Sequence, residues 1–398
     1  MLQRLRKLTG RIPESAIAAL LLIASLTVSG IVFAKLDRRY SLSVLAAAGA
    51  RAPDQPTCLV PDPVLHHSFK PNCEAIVGWG RNTYPLATNS LGLRDERTRE
   101  VPLTVDEPRI LLLGDSLTEG VLAWPDTFAG MIAARFPQLR VLNGGQTSYA
   151  PSNYLNLTKR LQDAGVRFDE IVVFIDLSDI QDEAAYYRDN EQTGGVDGAP
   201  EYHGETTSYS RWRTDFAFRY MVTDTGLSYL EYFAIRSGLY SKPLHDFGNV
   251  FDLPRSAWTY RPVSDALPYI RGYAPLGLAG GIAKARTKMT ALWEELTRRG
   301  IPLSVVVYPW PAQLAHDVVE SRQVTLWREW CEGKCKRFIS VFPDFFAIKN
   351  RCPWYAPGCW YDYFVFGDIH YNARGNKVVA DAVIRRLAED PPKKLPQK

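Results

Sequence analysis

Five short, almost wholly aliphatic runs, separated by amphipathic segments, constrain the fold of this 398-residue chain most. The first run is RILLL at 109–113, which has no polar residue between its arginine and the glycine that follows it. Strands that are apolar throughout are buried on both faces, as in a parallel sheet covered by helices. The predicted strands span 109–113, 139–143, 170–176, 303–309 and 337–343.

The segments between these strands predict helices. Right-handed crossovers would place such helices on both faces of the sheet. The sequence therefore predicts an α/β fold, a three-layer α/β/α sandwich with a central five-stranded parallel sheet, over residues 106–390. A stretch over 184–281, rich in Tyr, Phe, Trp and Gly, interrupts the alternation and is expected to form a cap. The predicted helices span 125–136, 151–165, 282–300, 317–330 and 373–389.

The N-terminus predicts a membrane anchor. Residues 16–34 carry no charged side chain, and basic residues flank them on both sides. A helix of that length is about 28 Å long, enough to cross the hydrocarbon core. We expect a basic cytoplasmic tail over 1–15 and a transmembrane helix over 16–34, with a cleaved signal peptide as the alternative. Residues 35–105 are expected to form an irregular linker that packs on the main domain.

All six cysteines follow the predicted anchor, and they fall into three close pairs. An even number in pairs favours disulfides in an oxidising compartment, whereas zinc sites use paired CxxC motifs or nearby histidines that are missing from this sequence. The main domain is therefore expected outside the cytoplasm, which means the periplasm if the cell is Gram-negative. Nearest-neighbour pairing is predicted, with crossed pairing between the last two pairs as the alternative. The predicted disulfides are Cys58–Cys73, Cys331–Cys335 and Cys352–Cys359.

The net charge of +4 is too small to predict a nucleic-acid partner. Basic residues are not interleaved with aromatic ones in any way that would form a strand-binding groove. The predicted partners are instead the membrane, through the N-terminal helix, and a substrate.

The segment LLLGDSLTEG places Ser116 just beyond the first predicted strand. Binding and catalytic sites of open parallel sheets form at this edge, and Gly114 permits a sharp turn there. The segment is not the GxSxG elbow, because Thr118 stands where the second glycine belongs, and no GK[ST] follows as in a P-loop. A nucleophilic serine and a helix-capping serine are both compatible with this segment alone.

A nucleophilic serine needs a base, and His370 is the best candidate among the six histidines. It lies in FGDIHYNARGN, immediately before the last predicted helix. Asp368 is two residues upstream, so in extended chain both side chains point the same way. The carboxylate could then fix the imidazole tautomer.

Gly114–Leu117, together with Asp368 and His370, resembles the SGNH (GDSL) hydrolase superfamily. The resemblance implies an α/β/α sandwich and a Ser-His-Asp triad formed by Ser116, His370 and Asp368. It also implies hydrolysis or transfer of acyl groups without a cofactor.

The middle motifs of that superfamily are only partly present. The resemblance implies that Gly145 supplies an oxyanion N–H together with that of Ser116, and that Ser178 replaces the usual asparagine donor. Asp176 stands in place of a glycine. The last motif is Asp-x-His instead of Asp-x-x-His, which leaves Asp362 as the alternative acid. These departures resemble those of membrane-tethered members that act on envelope polysaccharides.

Further polar and aromatic residues follow the strands. Asp179, Asp182 and Glu183 could bind a metal, but solvated or capping roles are more common, and no metal site is predicted. Asp115, Trp310 and Gln313 are predicted to line the substrate site. Trp310 either stacks on a sugar ring or packs beneath the cap.

The sequence thus predicts a membrane-anchored, extracytoplasmic serine esterase that acts on ester-linked acyl groups of a cell-envelope glycan. Its substrate would be an acylated carbohydrate or another ester. One alternative is a polysaccharide O-acetyltransferase with the same triad, which would work with a multi-pass acyl-transfer partner. The other is a catalytically silent binding or assembly module.

Overall fold

The computed structural model describes residues 15, 17–29, 31–32, 58–79, 82–198, 233–237, 256–260, 273–365 and 368–396. The chain forms two compact units, one of Met1–Gln55 with Gly204–Tyr229 and one of Pro56–His203 with Leu230–Lys398. In the first unit, residues 17–29 and 31–32 are helical. A search of the described residues finds no helix with the length and apolar character needed to cross a membrane. The predicted tail and anchor lie partly outside the described residues.

The second unit is built on a central mixed sheet, and the α/β class is confirmed. Within the described residues the strands are β1 Leu59–Asp62, β2 His66–Phe69, β3 Glu74–Trp79, β4 Asn82–Thr88, β5 Arg94–Asp95, β6 Arg109–Leu113, β7 Arg140–Asn143, β8 Glu170–Ile175, β9 Arg188–Asn190, β10 Gly195–Asp197, β11 Leu303–Val307 and β12 Arg337–Ser340. The sheet order is β12-β11-β8-β6-β7-β5-β4-β3. The first five strands in this order are parallel to one another, and they are the five that the sequence predicts. β6, β8 and β11 are buried along their whole length.

The sheet has eight strands, so the prediction of five is wrong. β5, β4 and β3 extend it in antiparallel fashion, beginning with the pairing of Arg94 with Asn143 on β7. The expectation of an irregular linker over 35–105 is therefore also wrong where the structure describes it. These strands escaped prediction because only alternate residues of a strand with one exposed face are buried, as Tyr84, Leu86 and Thr88 are in β4, so no continuous apolar run marks it.

Helices cover the sheet and pack in pairs, α3 (Pro151–Asp163) against α5 (Gly277–Arg298) and α2 (Phe128–Arg135) against α9 (Ala373–Glu389). Side-chain caps fix where two of them begin. Thr127 accepts a hydrogen bond from Gly130 N–H at the start of α2, and Asn372 accepts two at the start of α9. The helices are α1 Ser116–Glu119, α2 Phe128–Arg135, α3 Pro151–Asp163, α4 Asp179–Gln181, α5 Gly277–Arg298, α6 Pro311–His316, α7 Arg322–Cys331, α8 Phe342–Asn350 and α9 Ala373–Glu389.

The three predicted disulfides are confirmed, and they join nearest neighbours: Cys58–Cys73, Cys331–Cys335 and Cys352–Cys359. The predicted cap over 184–281 is described only in part, and the rest lies outside the described residues. Its described residues include a β9–β10 hairpin. They also include Arg236, whose guanidinium forms an ion pair with Asp362.

Candidate active site

The turn after β6 presents Ser116 at the start of α1. Gly114 is required there, because a Cβ at this position would lie 2.0 Å from Thr118 Oγ1 and 2.9 Å from the Phe174 carbonyl oxygen. Asp115 Oδ1 then accepts a hydrogen bond of 2.9 Å from Leu117 N–H, which caps the short helix. The turn leaves Ser116 only 8% exposed.

The far end of α1 is held by residues to which the sequence assigned no function. The Arg94 guanidinium is 1% exposed and donates hydrogen bonds to the carbonyl oxygens of Glu119 and Leu122. Glu119 itself accepts from Thr147 through both backbone and hydroxyl, at 2.7 and 2.8 Å. Arg94 lies on the antiparallel extension that sequence patterning missed, so its role could not have been read from the strand pattern.

The structure brings Ser116, His370 and Asp368 together in one hydrogen-bonded row. His370 Nε2 lies 2.8 Å from Ser116 Oγ, and His370 Nδ1 lies 2.5 Å from Asp368 Oδ1. Asp368 Oδ1 also accepts from the His370 backbone N–H at 3.0 Å. Since a carboxylate can only accept here, Nδ1 carries the proton and Nε2 accepts from the Ser116 hydroxyl.

The segment around His370 is anchored on both sides. The His370 carbonyl oxygen accepts from Val365 N–H at 2.7 Å, and the neighbouring Tyr371 hydroxyl donates to the Pro309 carbonyl oxygen at 2.6 Å. His370 is consequently 3% exposed. A buried, doubly tethered imidazole of this kind holds its orientation without help from a substrate.

Asp362, the alternative acid, is engaged elsewhere. Both of its carboxylate oxygens accept from Arg236 Nη1, at 2.7 and 2.5 Å. The carboxylate that contacts the His370 imidazole is that of Asp368.

Two of the three residues predicted as oxyanion donors have N–H groups that already donate to side chains in this structure. The Gly145 N–H donates to Asn143 Oδ1 at 2.9 Å, and the amide of Asn143 is held in turn by the Thr118 carbonyl oxygen at 2.8 Å. Ser178 N–H donates to Asp176 Oδ1 at 2.7 Å. Among the described residues, the Ser116 N–H has no acceptor.

Ser178 does not serve as a side-chain cap for α4 either. Its N–H is engaged by the Asp176 carboxylate, which occupies the position of a glycine in the superfamily that the sequence resembles. The sequence showed both substitutions separately and gave no sign that they contact each other.

The three residues predicted to line the substrate site are all enclosed. Trp310 is 1% exposed and donates from Nε1 to Asp176 Oδ2 at 2.8 Å. Gln313 is fully buried, and its Oε1 accepts from Trp310 N–H at 2.9 Å. Asp115 is buried as the cap of α1. Their role in lining a substrate site stays a prediction, because strand-end position indicates the edge of the sheet but not depth below the surface.

A cavity of about 250 Å³ adjoins the turn that contains Gly145. Arg94, Asn143 and Tyr149 also line it, whereas Ser116 and His370 do not. The cavity therefore lies on the side of the antiparallel extension and is not the place where an acyl carbonyl would meet Ser116 Oγ.

Buried carboxylates lie next to the hydrogen-bonded row of Ser116, His370 and Asp368. One oxygen each of Asp115, Asp176 and Asp179 lies within 4.8 Å of the other two. Burial raises the pKa of Asp176, against the opposing effect of its hydrogen bonds from Ser178 and Trp310. Burial, and next the negative charges of Asp115 and Asp176, raise the pKa of Asp179 well above its usual value.

Asp179 and Glu183, which the sequence analysis grouped with Asp182 as possible metal ligands, have different partners in the structure. Glu183 accepts from Ser152 N–H and Oγ–H and forms an ion pair with Lys284 at 3.0 Å. Asp179 instead joins Asp115 and Asp176, which arrive from two strand ends. Sequence adjacency was misleading because neighbouring residues on a helix point in different directions.

No protein-family model matches this chain, and no curated protein matches it. Solved structures do match. A catalytic mutant of an acetylxylan esterase from Geobacillus stearothermophilus has 10% identity and a TM-score of 0.38, covering 75% of this chain and 100% of its own. A psychrotrophic esterase from Pseudoalteromonas sp. has 9% identity and a TM-score of 0.35, with 71% and 98% covered. A GDSL-like lipase from Bacteroides thetaiotaomicron has 8% identity and a TM-score of 0.35, with 73% and 92% covered.

Proposed function

We propose that this chain is a serine esterase that cleaves ester-linked acyl groups through a Ser-His-Asp acyl-enzyme mechanism. The observation that carries the proposal is the row Ser116 Oγ–His370 Nε2–Asp368, with distances of 2.8 and 2.5 Å. These distances suit proton transfer from the serine to the imidazole, with the carboxylate compensating the imidazolium charge.

In the first step, Ser116 Oγ attacks the acyl carbonyl and passes its proton to His370 Nε2. The tetrahedral intermediate collapses, the ester C–O bond breaks, and the leaving alcohol takes the proton from His370. A water molecule then gives a proton to His370 and attacks the acyl-enzyme, which releases the carboxylic acid and restores the Ser116 hydroxyl. Asp368 keeps the proton on Nδ1 throughout.

The oxyanion of each tetrahedral intermediate needs donors that are already aimed at it. We assign the Ser116 N–H as the first donor, since no acceptor occupies it among the described residues. Gly145 can provide a second N–H only by leaving Asn143 Oδ1. Ser178 would have to leave Asp176, so we assign it no oxyanion role.

For the substrate, we propose an acyl ester on a cell-envelope glycan, met outside the cytoplasm. The three disulfides support the compartment, because such bonds persist in oxidising spaces. The uncharged, basic-flanked run over 16–34 supports attachment to the membrane. The acceptor is water in an esterase and a sugar hydroxyl in an O-acetyltransferase. The same acyl-enzyme would serve both.

A fluorophosphonate probe tests the proposal, because it reacts covalently with an activated serine. We expect labelling and p-nitrophenyl acetate hydrolysis by the wild-type protein, and loss of both in Ser116→Ala. Ser237→Ala is the matched control, since among the described residues the Ser237 hydroxyl bonds carbonyl oxygens of its own helical turn. A folded wild-type protein that is neither labelled nor active would instead be a silent binding module.

A further inference from the structure

Three neighbouring parallel strands end at one buried polar cluster. β11, β8 and β6 are adjacent in the sheet, so their carboxyl ends meet at the same edge. Asp115 follows β6, Asp176 and Asp179 follow β8, and Tyr308 follows β11 directly. The esterase mechanism proposed above uses none of these four side chains.

All three carboxylates of this cluster accept hydrogen bonds from described residues, and the His370 imidazole acts on Asp176 electrostatically. Asp176 accepts from Ser178 N–H and Trp310 Nε1–H, and Asp179 Oδ2 accepts from the Tyr154 hydroxyl at 2.9 Å. All of these donors are neutral. Asp179 Oδ1 is buried and has no hydrogen-bond partner among the described residues. Buried carboxylates at this spacing repel one another strongly unless a proton or a cation lies between them.

The Tyr308 hydroxyl gives a second and independent sign of a missing ligand. Tyr308 is fully buried, and its hydroxyl has no hydrogen-bond partner among the described residues. After burial, the charges of Asp115, Asp176 and Asp179 are the main influences that raise the pKa of this phenol. Val307 pairs with Ile175 in the sheet, so Tyr308 and Asp176 are the next residues at the ends of two adjacent strands, and the phenol brings an unused buried oxygen to this edge.

We propose that Asp115, Asp176 and Asp179, with the Tyr308 hydroxyl, form a binding site for one hard divalent cation such as Ca²⁺ or Mg²⁺. The donor set consists only of oxygen atoms and carries enough negative charge to replace the hydration shell of such an ion. Calcium–oxygen bonds of about 2.3–2.6 Å place opposite ligands roughly 4.6–5.2 Å apart. The three carboxylate oxygens lie within 4.8 Å of one another, so a single ion can contact all of them.

The ion would tie the turn that presents Ser116 to the end of β8. Asp115 is the residue before Ser116 and caps α1, so a ligand on Asp115 fixes the start of that helix. Hydrogen bonds from Tyr154 to Asp179 and from Trp310 to Asp176 would orient the ligands, as partners of metal-binding carboxylates commonly do.

The test uses the full purified chain, dialysed against EDTA and then against CaCl₂ or MgCl₂. We expect about one retained ion per chain by elemental analysis, and a melting temperature that rises with cation concentration. Asp179→Asn should lose most of the ion and most of the cation-dependent rise. Asp317→Asn is the matched control, because Asp317 is another buried carboxylate, bonded to Ser321 and Val318, outside the cluster.

Tyr308→Phe provides a second variant in case Asp179→Asn does not fold. It removes only the hydroxyl, and we expect it to weaken cation binding while the protein still melts cooperatively. No retained ion and no response of the melting temperature in the wild-type protein would overturn the proposal. The proposal is also overturned if Asp179→Asn is at least as stable as the EDTA-treated wild-type protein and the melting temperature of neither changes with cation concentration. A proton on Asp179 would then balance the charge of the cluster.

Discussion

Replacing Asp368 by asparagine should lower kcat greatly, whereas replacing Asp362 by asparagine should leave kcat nearly unchanged. Asp368→Asn keeps an oxygen for the His370 backbone N–H but presents an amide to Nδ1. The imidazole then loses the partner that holds its proton on Nδ1 and stabilises its positive charge. Substitutions of this kind in Ser-His-Asp triads lower kcat by about 10⁴, which corresponds to roughly 5.4 kcal/mol of transition-state stabilisation.

Asp362→Asn removes a carboxylate whose hydrogen-bonded partner is Arg236. The two side chains of this ion pair are 37% and 25% exposed. Pairs of that exposure contribute about 0.2–1 kcal/mol. For a domain of this size, the melting temperature should fall by no more than about 4 °C. We expect kcat to remain within a few-fold of the wild-type value.

The assay combines initial rates of p-nitrophenyl acetate hydrolysis with thermal melts followed by circular dichroism. Arg236→Ala serves as the control, since it removes the same ion pair from the other side and should reproduce the small fall in melting temperature. The reasoning fails if Asp362→Asn loses activity on the 10⁴ scale while Asp368→Asn remains active, because Asp362 would then be the acid of the triad.

Three further predictions concern the site and its surroundings. Ser116→Ala and His370→Ala should each abolish nearly all turnover, and the double variant should lose little more, because the two act as one unit; initial rates check this, and additive losses would contradict it. Ser178→Ala should leave both kcat and the free energy of unfolding in urea nearly unchanged, because alanine keeps the N–H that donates to Asp176 Oδ1; a lower kcat at unchanged stability would place Ser178 in the oxyanion hole. Burial lowers the pKa of His67 to about 4 in the folded protein, below its usual 6.5, so stability should fall as the pH drops through this interval. The loss is on the order of 3 kcal/mol, and urea unfolding of His67→Gln, which cannot take up this proton, should show correspondingly less of it.

The parallel half of the sheet was predictable because its strands are buried on both faces. RILLL and LSVVV have no exposed side, so hydrophobicity alone identifies them as strands. The antiparallel half was not predictable by the same criterion. β5 has only two residues, Arg94 and Asp95, both buried although both are charged. Their burial depends on partners from α1 and from the loop before β5, which no local pattern reveals.

Candidate residues of the site were predictable where their spacing in extended chain determines the direction in which the side chains point. Asp368 and His370 are two residues apart in extended chain, and the carboxylate does contact the imidazole. The long-range partners were not predictable in the same way. Asn143 takes the N–H of Gly145 because both lie in one tight turn against α1, where a Cβ on Gly145 would approach Glu119 N to 2.5 Å. Sequence shows the glycine, but only packing shows which acceptor its N–H meets.

Asp176 and Ser178 after β8 and Trp310 after β11 form one connected group of contacts. Asp176 introduces a buried carboxylate beside the row of Ser116 and His370, where an isolated charge would be costly. Ser178 directs its N–H to that carboxylate, and Trp310 supplies a second hydrogen bond from Nε1. Trp310 is thereby buried in this arrangement. The N–H of Ser178 is engaged by the same carboxylate. A single buried acid at position 176 therefore gives a structural partner to two residues that have functional assignments from sequence.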